Sequence, residues 1–129
     1  MTAPAPAANI SGLKVLVVED EAMVAMVLED TLLEFGCVVT AIAPSVAAAL
    51  DQIERTPDID AAILDVNLGG EKVFPVADAL QAKGVPFVFS TGYGPADLTE
   101  RYPGCRLLNK PYAPEALAAT LGALPARAS

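Results

Sequence analysis

Lys14-Val-Leu-Val-Val18 is a short, almost unbroken apolar run that ends on two carboxylates, Glu19-Asp20. Such a run reads as a strand buried on both faces, the pattern of a parallel sheet. Three further runs repeat it. Ala61-Ala-Ile-Leu64 delivers Asp65, Pro86-Phe-Val-Phe-Ser90 delivers Thr91, and Cys105-Arg-Leu-Leu108 leads to Lys110. In an open parallel sheet the carboxyl ends of the strands form one edge, where ligands bind. Three carboxylates, a hydroxyl and an ammonium are therefore expected in one cleft. That grouping suits a divalent cation and a phosphoryl group.

Helical patterns alternate with these strand signals, which makes the chain α/β, a series of βα units on a parallel sheet. After the first strand, Met23, Val24, Val27, Leu28, Thr31, Leu32 and Phe35 recur at helical spacing, and Gly36 ends the helix as a C-terminal cap. Cys37-Val-Val-Thr-Ala-Ile42 is a second strand, and Ser45 caps a helix whose inward stripe is Val46, Ala49, Leu50 and Ile53. Pro57 stops it. Asn67-Leu-Gly-Gly70 reads as a loop, with two glycines allowing unusual backbone angles. Val73, Val76, Ala77 and Leu80 mark a third helix, with Pro75 in its first turn and Gly84 closing it. The stretch from Gly92 to Gly104 has several breakers and few apolar anchors, so any helix there is expected to be short and weakly held. A last helix starts near Pro114-Glu115 and carries Leu117, Leu121 and Leu124.

A chain of 129 residues, 53% apolar, is sized for one domain with a sizeable core. No apolar run reaches membrane-span length, and the opening residues carry neither a basic nor an apolar signal region. A cytoplasmic protein is expected, with no membrane partner. The formal net charge of −8 argues against a nucleic-acid partner, whose phosphates demand a basic surface. The presence of no His and two Cys argues against a zinc site as well.

Each part of the cleft has a plain reading when taken alone. Glu19-Asp20 would be a charged helix start, Asp65 a strand-end turn residue, Thr91-Gly92 a turn, and Lys110-Pro111 a loop. Their joint placement selects the site. Carboxylates at one edge repel unless a cation offsets them, and Mg²⁺ takes oxygen ligands and keeps several waters. Asp20 and Asp65 are the expected direct ligands, with Glu19 acting through water and the Asn67 backbone carbonyl completing the set. Lys110, held extended before a proline, reaches a carboxylate or phosphoryl oxygen as a point charge. An ionised aspartate accepting a phosphoryl group needs no general base, so catalysis reduces to positioning and charge neutralisation. Asn67 and Tyr93, two residues beyond Asp65 and Thr91, flank the expected path of an attacking water.

Val15-Leu-Val-Val-Glu-Asp20, Ile63-Leu-Asp65, Thr91-Gly92 and Lys110-Pro111 together resemble the receiver domain of two-component response regulators, the CheY-like family. The resemblance covers roughly residues 12–124, with 1–11 as a disordered lead-in and 125–129 as a tail. It implies a flavodoxin-like (βα)5 doubly wound sheet of strand order 2-1-3-4-5. Asp65 would be the phosphoacceptor, Thr91 the switch hydroxyl and Lys110 the ammonium paired with them, while Glu19 and Asp20 belong to the metal site. In that order Cys37 and Cys105 open the two opposite edge strands, too far apart for a disulfide. Two positions depart from the usual pattern. Leu107 stands where most receivers carry an aromatic residue on the fifth strand, and Gly69 stands where most carry proline. With Pro86-Phe-Val-Phe-Ser-Thr-Gly-Tyr93, these look like the FATGUY receiver subgroup, whose members partner with histidine kinases of the HWE and related classes. Tyr93 or Tyr102 are the aromatic residues available to stand in at the Leu107 place.

The expected function is a single-domain response regulator that takes a phosphoryl group from a sensor histidine kinase on Asp65 with Mg²⁺. It would then dock a downstream partner or drain phosphoryl groups from the kinase, and would catalyse nothing beyond its own phosphorylation and dephosphorylation. A small Mg²⁺-dependent phosphatase with an aspartyl-phosphate intermediate is the alternative. Such enzymes place a second acid two residues after the nucleophile, where this chain has Asn67. A flavodoxin-like cofactor binder is a third reading, opposed by the acidic first loop, Val18-Glu-Asp-Glu21.

Overall fold

In the computed structural model, residues 10–92 and 96–125 are described, and five strands form one parallel sheet. They are β1 (Lys14–Val18), β2 (Val38–Ala43), β3 (Ala61–Asp65), β6 (Phe87–Thr91) and β7 (Arg106–Asn109), in the order β2-β1-β3-β6-β7. A small antiparallel hairpin of β4 (Asn67–Leu68) and β5 (Glu71–Lys72) takes the two intervening numbers. Counted along the sheet alone, the order is the expected 2-1-3-4-5. Strands β3 and β6 are buried at every residue, and β1 at every residue but its first, which is why their sequences are apolar without alternation.

The helices divide between the two faces. Val15, Val17, Ile63 and Val88 meet α1 (Ala22–Glu34) and α5 (Pro114–Gly122) through Leu28, Leu32, Leu117 and Leu121. On the other face Leu16, Val18, Leu64 and Phe89 meet α2 (Val46–Arg55), α3 (Phe74–Ala82) and α4 (Ala96–Arg101). Ser45 caps α2 as its position predicts, its hydroxyl accepting from the Ala48 N–H at 3.1 Å. Gly36, at φ 84°, turns the chain out of α1 and into β2. No helix among the described residues is long and apolar enough to cross a membrane.

Four expectations need correction. The helical stripe of α1 turns inward through Ala25, Leu28 and Leu32, leaving Met23 79% and Val27 66% exposed. Apolar residues cover so much of this helix that periodicity alone does not choose the face. Ile10, placed in the lead-in, is buried and accepts from the Leu13 N–H and the Cys37 thiol, so Ile10 and Ser11 belong to the fold. Residues 1–9 and 126–129 lie outside the described residues. Asn67–Gly70 is half of a hairpin and not only a loop, while its two glycines take the unusual angles expected of them: Gly69 (φ 55°) and Gly70 (φ 94°) supply the two positive φ angles that the tight turn requires.

The fourth correction concerns the segment after β6. Its helix is short, as expected, but Leu98 and Tyr102 are both buried. Tyr102 sits among Phe74, Phe87 and Phe89, with ring centroids 5.3–6.0 Å away. Its hydroxyl lies 2.6 Å from Asp78 Oδ1 and 3.2 Å from the Phe74 carbonyl, while the Arg101 guanidinium lies 4.6 Å from the centroid of the Phe74 ring. This segment is anchored by aromatic burial that helical periodicity cannot reveal. Cys37 and Cys105 are free thiols just ahead of the two edge strands β2 and β7.

Candidate functional site

The interior of each central strand is apolar on both faces, so polar side chains are confined to the strand ends. Glu19 directly follows β1. Its backbone N–H still bonds the Ala43 carbonyl of β2 at 3.0 Å, and its carboxylate is buried. Asp20, the next residue, is exposed. Asp65 is the last residue of β3 and is buried at the same edge. Carboxylate oxygens of Glu19, Asp20 and Asp65 all lie within 4.8 Å of one another.

Lys110 arrives from the far side of the sheet. Its backbone N–H bonds the Thr91 carbonyl at 2.8 Å, and the Lys110-Pro111 peptide is cis. The ammonium lies 3.2 Å from Glu19 Oε1 and 3.4 Å from Asp65 Oδ2, bridging the two buried carboxylates. Thr91 closes β6 and is buried, one residue beyond Ser90, which pairs with Asp65 in the ladder. The structure thus brings Glu19, Asp20, Asp65 and Lys110 into one cluster and sets Thr91 at its rim. Asn67 lies beside the cluster: its N–H reaches Asp65 Oδ1 at 3.3 Å, and its side-chain oxygen accepts from Lys72. Tyr93 lies outside the described residues.

The electrostatics follow from this packing. Burial, reinforced by the adjacent Asp65 carboxylate, pushes the Glu19 carboxyl up to about 7, against the opposing pull of the Glu21 N–H and Lys110. Burial alone would lower the Lys110 ammonium, but Asp65 and Glu19 outweigh it and hold it above its ordinary value. Three carboxyl groups thus share one cluster with the Lys110 ammonium, and Asp20 marks its exposed side. An all-oxygen donor set with room for water fits a hard divalent cation such as Mg²⁺ and does not fit a soft metal.

Two contributors escaped the sequence. The Gly69 N–H bonds Asp20 Oδ2 at 2.9 Å, so the hairpin turn orients a carboxylate of the acidic cluster. Lys72 lies opposite Asn67 in the hairpin and holds its amide. The Gly-Gly pair between Leu68 and Glu71 was the available signal, since two glycines between short strand segments mark a hairpin. Beside the cleft, Met23, Val24 and Val27 of α1 line an open apolar groove with Tyr112 and Pro114.

The family model of the response regulator receiver domain matches residues 15–121. Among solved structures, SdrG from Pseudomonas melonis Fr1 in its BeF3-activated conformation is 45% identical, with a TM-score of 0.70 over 86% of this chain and 98% of that one. The PhyR response regulator REC domain from Erythrobacter litoralis is 25% identical, with a TM-score of 0.76 over 87% and 88% of the two chains. A variant of the anti-anti-sigma factor PhyR from Bartonella quintana is 25% identical, with a TM-score of 0.76 over 86% of this chain. This chain spans 47% of the length of that protein. No curated protein sequence matches the chain.

Proposed function

The chain belongs to the response regulator receiver family, and from that footing we propose that it is a phosphorylation switch whose acceptor is Asp65. The observation that carries this reading is the Lys110 ammonium bridging Glu19 and Asp65 at 3.2 and 3.4 Å inside a cluster of three carboxylates. An Asp65 oxygen attacks the phosphorus of a phosphohistidine on a sensor kinase. The phosphorus–nitrogen bond breaks, its electron pair stays on the imidazole, and the phosphoryl group remains as an acyl phosphate. A carboxylate nucleophile carries no proton to remove, so this step requires no base. Lys110 offsets the charge that builds on the transferring oxygens. Glu19, Asp20 and Asp65 would hold Mg²⁺, which when bound supplies charge neutralisation to the phosphoryl oxygens. Thr91, buried at the rim, would donate its hydroxyl hydrogen to an oxygen of the new phosphoryl group, and the extra charge would shift the population of the segment beyond it.

The partner is a sensor histidine kinase, and the subgroup resemblance favours the HWE and related classes. The exposed apolar face of α1, with Met23 and Val27 beside the cleft, offers the kinase a surface next to the acceptor. The BeF3-activated form of SdrG, a relative 45% identical, supports the same chemistry at this cleft. In this reading the protein acts in the cytoplasm, turns over only its own aspartyl phosphate, and either docks a downstream protein or drains phosphoryl groups from its kinase. Intact-mass measurement after incubation with a small acyl-phosphate donor and Mg²⁺ tests the core claim. One phosphoryl mass should appear, and it should be lost with chelator or with Asp65→Asn. Labelling that survives Asp65→Asn would refute the assignment.

A further inference from the structure

The hairpin that follows Asp65 is fixed on every side except one. Leu68 and Val73 are buried in the core, and the Val73 N–H bonds the Val66 carbonyl at 3.0 Å. The Gly69 N–H holds Asp20, and the Asn67 N–H holds Asp65. The backbone of Asn67 is thereby set beside the acceptor carboxylate, and its side-chain amide is the remaining freedom. Lys72, directly across the ladder, removes that freedom by donating from Nζ to Asn67 Oδ1 at 2.9 Å.

The chemistry of this contact has a direction. An ammonium only donates, so it takes the oxygen end of the amide and leaves the two N–H donors for whatever enters the cleft. Hydrolysis of an acyl phosphate on Asp65 needs a water oxygen to bond to phosphorus while the bond from phosphorus to the Asp65 oxygen breaks. The electron pair returns to the carboxylate, one water proton stays on the phosphate, and the other passes to solvent. A neighbouring acceptor that takes a hydrogen bond from this water would align it for attack. A pair of donors instead binds phosphoryl oxygens and does not align it.

We propose that Lys72 is a positioning residue that prolongs the life of the phosphorylated state by fixing the orientation of the Asn67 amide, so that Oδ1 is held toward Lys72 and not turned to align the attacking water. The proposal rests on Asp65 being the phosphoacceptor. Both partners of the contact are solvent-accessible, and an ion or hydrogen bond of an exposed lysine adds little to stability. The effect should therefore be kinetic and leave the fold unchanged.

The test follows the loss of phosphoryl mass from protein charged with a small acyl-phosphate donor and Mg²⁺, after the donor is removed. Lys72→Met should hydrolyse about fivefold faster than wild type, equivalent to about 1 kcal/mol in the barrier, with an unchanged thermal midpoint. Lys72→Arg, which keeps a donor-only cation, should restore the rate to within about twofold of wild type. In an Asn67→Ala background Lys72→Met should have no further effect, since the amide it acts through is gone. Equal rates for Lys72→Met and wild type would overturn the proposal, as would the same acceleration in the Asn67→Ala background. Wild-type protein that takes no phosphoryl group on Asp65 would overturn the phosphoacceptor reading itself, and the proposal with it.

Discussion

Replacing Glu19 by glutamine should stabilise the metal-free protein while weakening its hold on Mg²⁺. Glu19 is 3% exposed, and burial with the neighbouring Asp65 raises its pKa from the ordinary 4.5 to about 7. Between those two values the folded protein binds more protons than the unfolded chain. Stability therefore falls as pH rises through the window and levels off above it. At about 1.4 kcal/mol for each pKa unit, wild type loses about 1 kcal/mol by pH 5 and about 3 kcal/mol by pH 8 relative to strong acid. Glutamine carries no charge and escapes that loss. For a domain of this length about 3 kcal/mol corresponds to about 10 °C in the thermal midpoint. Glu19→Gln should thus melt well above wild type at pH 8 in chelator, and only slightly above it at pH 5. Millimolar Mg²⁺ should raise wild type by mass action and raise the variant less, narrowing the gap. Thermal denaturation at the two pH values, with chelator and with Mg²⁺, reads all of this. A gain that is the same at pH 5 and pH 8, or no gain at pH 8, would refute the reasoning that burial strains this carboxylate.

Two further outcomes are expected. Tyr102→Phe removes a hydroxyl held 2.6 Å from Asp78 Oδ1. Because the Asp78 side chain is 56% exposed, the cost should be about 1 kcal/mol in urea denaturation, with faster amide exchange across α4. Met23→Glu puts a charge on the exposed face of α1 beside the cleft. It should cut phosphoryl transfer from the cognate kinase about tenfold, roughly 1.4 kcal/mol, and leave uptake from a small acyl-phosphate donor within about twofold.

What could be read from the chain was set by how local its cause is. Strand positions and the residues at their ends were legible because a central parallel strand must be apolar throughout, so the first polar residue after each run marks the sheet edge. Ser45 was legible as a cap because its partner, the Ala48 N–H, lies three residues away. Contacts set by tertiary packing were not. Tyr102 meets Asp78 and Phe74 across 24 and 28 residues, and no periodicity marks that encounter. The inward face of α1 was not legible because Met23, Val27, Leu28 and Leu32 are all apolar, and only the sheet beneath decides which of them it covers. Lys72 fell outside the expected site because its place depends on the hairpin, which an Asn67–Gly70 loop would not have formed.

The aromatic cluster also limits how a charge on Asp65 can be passed on. Leu107 occupies the β7 position where an aromatic ring would turn, and it is only partly buried. Tyr102 does not supply the missing rotor in this state. Its ring packs against three phenylalanines, and its hydroxyl is held by Asp78 and the Phe74 carbonyl. Turning it out would expose a buried aromatic and break its hydrogen bond, a change too costly for a freely rotating side chain. Thr91 and Lys110, by contrast, are joined through the backbone at 2.8 Å and sit at opposite ends of the β6–β7 excursion that contains α4. A pull on the Thr91 hydroxyl and the Lys110 ammonium therefore acts on both ends of this excursion at once. In the proposed switch, the element expected to respond is α4 with Tyr102, moving as one packed unit against α3, and not a single side chain flipping within it.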